Sequence, residues 1–137
     1  ARAMQRLRRD ASAGFALLFL DLDRFKVIND SAGHAVGDAL LVDVARRFAS
    51  CVRAPDMVAR LGGDEFAVLM ERVAGADDAV RLAQRIVEAL SGPIEVGGRT
   101  VFTGASIGIA LGHPGYASPE DVLRDADIAM YRAKKNP

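Results

Sequence analysis

Apolar positions along the chain change their period several times, and each change marks an element. Ala16 to Leu22 reads ALLFLDL, a near-continuous apolar run that predicts a strand buried on both faces. From Asp38 onward, Leu41, Val44, Ala45, Phe48 and Val52 fall at helical spacing and form one stripe of an amphipathic helix. Met57 to Leu61 and Glu65 to Met70 predict two short strands, and the Gly62-Gly63 pair between them suits a hairpin needing positive φ. A second helical stripe follows at Ala79, Leu82, Ala83, Ile86 and Leu90, with Arg81, Gln84, Arg85 and Glu88 on the opposite face. Ile94 to Val96 and Arg99 to Leu111 flank Gly97-Gly98, the signal for a second hairpin. In its longer arm Ala105, Ile107, Ile109 and Leu111 share one face, while Gly104, Ser106 and Gly108 share the other. So small a face lets a helix or a ligand come close. The last helix is expected to begin at Ser118-Pro119-Glu120-Asp121, with Ser at the N-cap and Pro at the first helical position. Val122, Ala126, Ala129 and Ala133 keep its register. The alternation of strands and helices, without repeats or an internal linker, predicts a single α/β domain spanning residues 1–137.

Composition narrows the function. Lys and Arg total 18 and Asp and Glu total 18, so no wholesale electrostatic grip on nucleic acid or membrane is expected. The central strand also lacks the paired surface aromatics on which an RNA-binding sheet stacks bases. Cys51 is the only cysteine, which excludes an internal disulfide and points to a reducing compartment. No apolar run reaches the roughly 20 residues that span a bilayer, and the RAMQRLRR segment is too charged for a signal peptide. A cytoplasmic domain is therefore expected. Its abrupt ends suggest a piece of a longer protein, in which a membrane anchor or a sensor can lie outside these residues.

Two groups of residues can carry chemistry. The first is Asp21 and Asp23, which close the buried strand and, two apart, face the same side. A carboxylate at the end of a central strand is costly unless it is solvated, paired or metal-bound. Asp23 has a plainer reading as the N-cap of a helix starting near Arg24, whereas Asp21 is favoured as a metal ligand. The second group is Gly62-Gly63-Asp64-Glu65-Phe66. Two glycines leave N–H groups open to phosphate oxygens, and two carboxylates follow at once. On its own this is ordinary acidic turn chemistry. If the two strands are neighbours, the carboxylates converge into hard oxygen ligands of the kind Mg²⁺ uses beside nucleotide phosphates. His34 has no second histidine nearby and reads as structural, and His113 carries no signal.

Four ordered blocks now carry a resemblance: LLFLDLDRFKVIND-SAGHAVGDALL, VARLGGDEFAVL, ASIGIA and DADIAMYRAKK. In order, spacing and context they resemble the GGDEF family, the catalytic domains of diguanylate cyclases, over nearly the whole chain. The resemblance implies an α+β fold: a central, mostly antiparallel sheet flanked by helices, nucleotidyl cyclase-like and ferredoxin-like. It implies condensation of two GTP into cyclic di-GMP with release of two pyrophosphates. One domain holds one GTP, so it implies a homodimer. Mg²⁺ (or Mn²⁺) is the implied cofactor, held by Asp21, the Leu22 carbonyl, Asp64 and Glu65. Glu65 is open to a second role, as base for the attacking hydroxyl.

Further implied contacts are Asn29 and Asp38 with guanine, and Lys26, Lys134, Gly62, Gly63 and the N–H groups near Phe25 with phosphate. Asp38 fits a helix N-cap equally well. The family's leading D-x-L-T-x-L-P-N-R segment is absent, and an arginine expected soon after Lys134 falls beyond Pro137. Arg53-Ala54-Pro55-Asp56 reads alone as a surface ion pair worth little. The resemblance makes Arg53 and Asp56 a product-inhibition site, because the five residues Met57 to Leu61 separate them from the pentapeptide. Arg85 resembles an arginine that a neighbouring domain supplies to that site. Asp56 and Gly62 stand up to roughly 20 Å apart along an extended strand, so this site is allosteric. Another reading is a catalytically weak domain that binds GTP or cyclic di-GMP and controls an attached phosphodiesterase. The stretch PIEVGGRTVFTGASIGIA resembles versions found in such tandem proteins.

Overall fold

The computed structural model describes residues 15–71, 73, 75–112 and 119–135. Strand β1 (Phe15–Asp23) is the centre of the sheet. Helices α1 (Phe25–Ala32) and α2 (His34–Cys51) follow, then the hairpin of β2 (Met57–Gly62) and β3 (Glu65–Glu71). After α3 (Ala76–Ala89) come the short strands β4 (Ile94–Val96) and β5 (Arg99–Val101), then β6 (Gly104–Gly112) and α4 (Pro119–Lys135). The four-stranded sheet has the order β2-β3-β1-β6, and every pairing in it is antiparallel. The expected mixed fold with a mostly antiparallel sheet is therefore what forms.

Both faces of β1 are covered, which is why its sequence is apolar without alternation. Ala16, Leu18, Leu20 and Leu22 join Leu40, Val44 and Phe48 of α2 and Leu82 and Ile86 of α3 in the larger core. There the Phe48 and Phe66 rings meet edge to face at 5.1 Å. Phe15, Leu17 and Phe19 point the other way and pack with Ala126 and Met130 of α4. At Gly108 the small-residue face of β6 is occupied by that helix, whereas Gly104 and Ser106 lie against Asp23. A Cβ on Gly108 would stand 2.1 Å from the Ala126 carbonyl oxygen and from the Met130 nitrogen. Arg47 ties α2 to α3, donating from Nε to Asp43 and from Nη1 to the Ala89 carbonyl at 2.6 Å. A cation at carbonyls of a helix C-terminus also meets the negative end of the helix dipole.

Three boundaries differ from expectation. Helix α2 starts at His34, four residues before Asp38, because Gly33 at φ +97° makes the break and Gly37 already donates to the Gly33 carbonyl. Asp38 is thus inside the helix and is not its N-cap. Asp23 is not an N-cap either: Arg24 holds that position on α1 with φ 64°, and no side chain caps the helix. The strand expected from Arg99 to Leu111 is two strands in two sheets. β5 pairs with β4 and β6 with β1, so the chain must change partners at Phe102 and Thr103. Thr103 Oγ1 anchors that step by donating to the Asp23 carbonyl at 2.9 Å. The expected Ser118 cap lies outside the described residues, as does His113. Among the described residues no helix is long and apolar enough to cross a membrane.

Candidate active site

The site forms where β1 ends. Asp21 lies opposite Glu65 of β3 on one side and opposite Ser106 of β6 on the other. The β2–β3 turn folds over this end. Gly62 and Gly63 have φ of 155° and 49°, and the Leu22 N–H donates to the Asp64 carbonyl at 3.1 Å. Positive φ at both positions is what the paired glycines are needed for. The tip is held from behind by Arg60, whose Nε donates to the Gly63 carbonyl at 3.0 Å.

This fold brings the Asp64 carboxyl onto Asp21. Burial, then the hydrogen bond and charge of Asp21, push the Asp64 pKa up from 3.8 to about 6, and Glu65 adds to the rise. Burial and a like charge both disfavour the ionised form. Glu65 itself is exposed. Among the described residues no group of three or more His, Cys, Asp or Glu side chains is gathered, so Asp21 and Asp64 form a pair. The donor set fits a divalent cation all the same. Mg²⁺ takes one or two carboxylates and completes its shell with phosphate and water, and two carboxylates pressed together gain from a cation between them. Asp23 is held apart from the pair, its Oδ1 accepting from Ser106 Oγ at 2.8 Å. Ser106 carried no expected role. Its part depends on β6 lying beside β1, which no local pattern reveals.

The start of α1 adjoins the carboxylates through Asp23 and Arg24. With no side-chain cap, the N–H groups at Phe25 and Lys26 are left for an outside acceptor, and a helix N-terminus favours anions. Phe25 is buried and anchors the helix, while Lys26 is exposed. Arg24 in the left-handed region was not anticipated. A non-glycine residue there stores strain of a kind that clusters at functional sites. Asn29 of α1 is half-buried, and its Oδ1 is fully buried with no hydrogen-bond partner. Asp38 of α2 is exposed. Lys134 is in the last turn of α4, and its side chain lies outside the described part of the chain. His34 is the exposed first residue of α2.

Arg53 and Asp56 lie at the other end of β2. No ion pair joins their side chains among the described residues. Instead the Asp56 N–H donates to the Arg53 carbonyl at 2.8 Å, and Asp56 Oδ1 accepts from the Glu71 N–H at 2.9 Å. Arg53, Asp56 and Arg85 line one cavity of about 300 Å³. A second cavity of about 620 Å³ shares Asp56, Met70 and Arg85 with the first.

Comparison with known proteins identifies the family. The family model described as "Diguanylate cyclase, GGDEF domain" matches residues 1–137. The chain is 50% identical over 137 residues to diguanylate cyclase TpbB of Pseudomonas aeruginosa, covering 96% of this chain and 31% of that protein. It is 47% identical over 134 residues to the bifunctional diguanylate cyclase/cyclic di-GMP phosphodiesterase MucR of the same organism, covering 97% of this chain and 19% of that one. The chain thus spans a third or less of these relatives. The crystal structure of the TpbB GGDEF domain superposes with a TM-score of 0.91 at 46% identity, over 99% of this chain and 84% of that one. With the carboxylate pair under a Gly-Gly tip and a family match from end to end, the chain belongs to the GGDEF family of diguanylate cyclase domains.

Proposed function

We propose that this domain condenses two GTP molecules into cyclic di-GMP. The observation that carries the reading is the Asp21–Asp64 pair beneath the Gly62-Gly63 turn. In each of two steps, a ribose 3′-oxygen bonds to the α-phosphorus of the other GTP. The bond from that phosphorus to the bridging oxygen breaks, pyrophosphate leaves, and the hydroxyl proton passes to a base or to solvent. Asp21, Asp64, Glu65 and the Leu22 carbonyl are the groups to hold Mg²⁺ (or Mn²⁺). When bound, the cation neutralises charge on the phosphates. Glu65 faces Asp21 across the strand pair and is exposed, which suits either ligand or base. Lys26 and the uncapped N–H groups of α1 orient the phosphates, with Lys134 assigned to the same task. Asn29 and Asp38 select guanine. The test is incubation with GTP and Mg²⁺, followed by chromatography for cyclic di-GMP and assay of pyrophosphate. Absence of both products over a range of protein concentrations refutes the reading.

Each domain offers one such site and the product contains two nucleotides, so two copies must face each other. Specific activity is expected to climb with protein concentration, because the productive pair forms by mass action. A specific activity that stays flat across a wide dilution series contradicts the dimer.

The cavity at Arg53, Asp56 and Arg85 is proposed to bind cyclic di-GMP and restrain the enzyme from a distance. An arginine forks onto guanine O6 and N7, and a carboxylate accepts from its N–H edge. Asp56 already spends Oδ1 on the Glu71 N–H, which leaves Oδ2 for the ligand and aims the carboxylate. Arg53→Ala should weaken product binding by roughly 1–3 kcal/mol, as for loss of a bidentate guanine contact, while GTP turnover persists. Equal calorimetric affinities in wild type and variant would make the motif a surface feature only. The same cavity keeps a second reading in view, a nucleotide-binding domain that regulates an attached phosphodiesterase. A chain that binds cyclic di-GMP but yields no product from GTP meets that reading.

A further inference from the structure

Gly37 ends the first turn of α2, where glycine is a poorer helix former than alanine. Its φ is not in the left-handed region, so backbone conformation does not call for it. The reason lies across the helix pair. A Cβ at this position would stand 1.7 Å from Asn29 Oδ1 and 2.8 Å from Asn29 Cγ, against 3.5 Å from Nδ2. The amide of Asn29 therefore lies in the space that any side chain at 37 would fill. Its carbonyl points into α2, fully buried and with no hydrogen-bond partner, and its N–H₂ points away. Asp38, the next residue along α2, is exposed beside it.

From this we infer that Gly37 is a positioning residue for guanine selection, acting through Asn29. The inference rests on the proposed role of Asn29 and Asp38 and adds to it. With its carbonyl sunk against Gly37, Asn29 is held as a donor and meets the acceptors of the base. Asp38 supplies the acceptor for the base's N–H groups. A methyl group at 37 evicts the amide and leaves the carboxylate without its partner. The displaced atom is the far end of a short side chain, so the fold itself can absorb the change.

The experiment compares Gly37→Ala, Asn29→Ala and the double variant, with Mg²⁺ and non-hydrolysable analogues of GTP and ATP in calorimetry. Gly37→Ala is expected to weaken the GTP analogue roughly tenfold, the size of one lost hydrogen bond, and to leave the ATP analogue unchanged. Its melting temperature should stay at or above wild type, since alanine is the better helix former. A glycine with a purely structural role would instead lower the melting temperature and weaken both nucleotides alike. Asn29→Ala should match Gly37→Ala, and the double variant should bind no worse than Asn29→Ala, because both changes remove one contact. Losses that multiply in the double variant overturn the inference, as does wild-type binding by Gly37→Ala when Asn29→Ala is impaired. If Asn29→Ala binds like wild type, the guanine reading fails and this inference with it. Should Gly37→Ala fail to fold, a folded double variant supports the contact, and failure of both overturns it.

Discussion

Asp64→Asn stops cyclic di-GMP synthesis while the domain stays folded. The substitution keeps the shape of the side chain and removes one of the two charges that would meet the metal. A loss of at least about a hundredfold is expected, comparable to removal of one key electrostatic contact at a reacting centre. The apo protein should not suffer. Asp64 has its folded pKa pushed up from 3.8 to about 6 by burial and by Asp21. The stability it contributes is full below its unfolded pKa and is lost as pH rises through about 6. Near neutral pH the ionised group therefore works against the apo fold, and asparagine does not. The melting temperature of the variant should equal or exceed that of wild type at pH 7, with the gap closing as pH falls toward 4. Protons also compete with the cation at the pair, so Mg²⁺ affinity of the wild type should drop as pH falls through about 6. Calorimetric Mg²⁺ titrations, melting curves and product assays at several pH values check all of this. Wild-type turnover by Asp64→Asn would remove the pair from the mechanism.

Gly108→Val should detach α4 from the sheet or unfold the domain. The first atom of any side chain at 108 meets the Ala126 oxygen and the Met130 nitrogen at 2.1 Å and Met130 Cα at 2.7 Å. These are backbone atoms of a helix, which cannot turn aside as a side chain can. Overpacking typically costs about 1–3 kcal/mol; with rigid backbone as the obstacle the upper end, about 3 kcal/mol, is expected, and the melting temperature should fall by about 10 °C. Leu111→Ala, on the opposite face of the same strand and 42% exposed, is the control expected to have little effect. Melting curves for the two variants decide the matter. A Gly108→Val protein that melts with wild type would mean that α4 does not rest on β6 as described.

The chain's own periodicity was enough for the elements whose signals are local. The run ALLFLDL is apolar without alternation because both faces of β1 are covered, and that can be read without knowing by what. The stripes of α2 and α3 and the glycine pair at the hairpin tip are equally local. The carboxylates Asp21, Asp64 and Glu65 were legible as candidates at the ends of apolar runs, but alone the hairpin reads as ordinary turn chemistry, and the metal-site reading came from the ordered blocks of the family resemblance. Contacts made across the chain depended on strand order and helix packing, which no short window contains. Strand β6 beside β1 sets Ser106 on Asp23 and breaks the expected long strand at Phe102 and Thr103, because one chain cannot pair with two sheets at once. The small face of β6 was legible as a close approach, but only the packing decides that a helix fills it at Gly108. His34 begins α2 because Gly33 makes the break, and Asp38 is thereby moved from a cap to an exposed helix position. The turn brings Asp64 onto Asp21, while Glu65 next to it stays exposed. Residue types and spacing determined which groups were available for chemistry. The pairing of segments 44 to 97 residues apart in the chain decided which of them touch, because a partner across the sheet is set by register and packing between elements and not by the residues next to it in the chain.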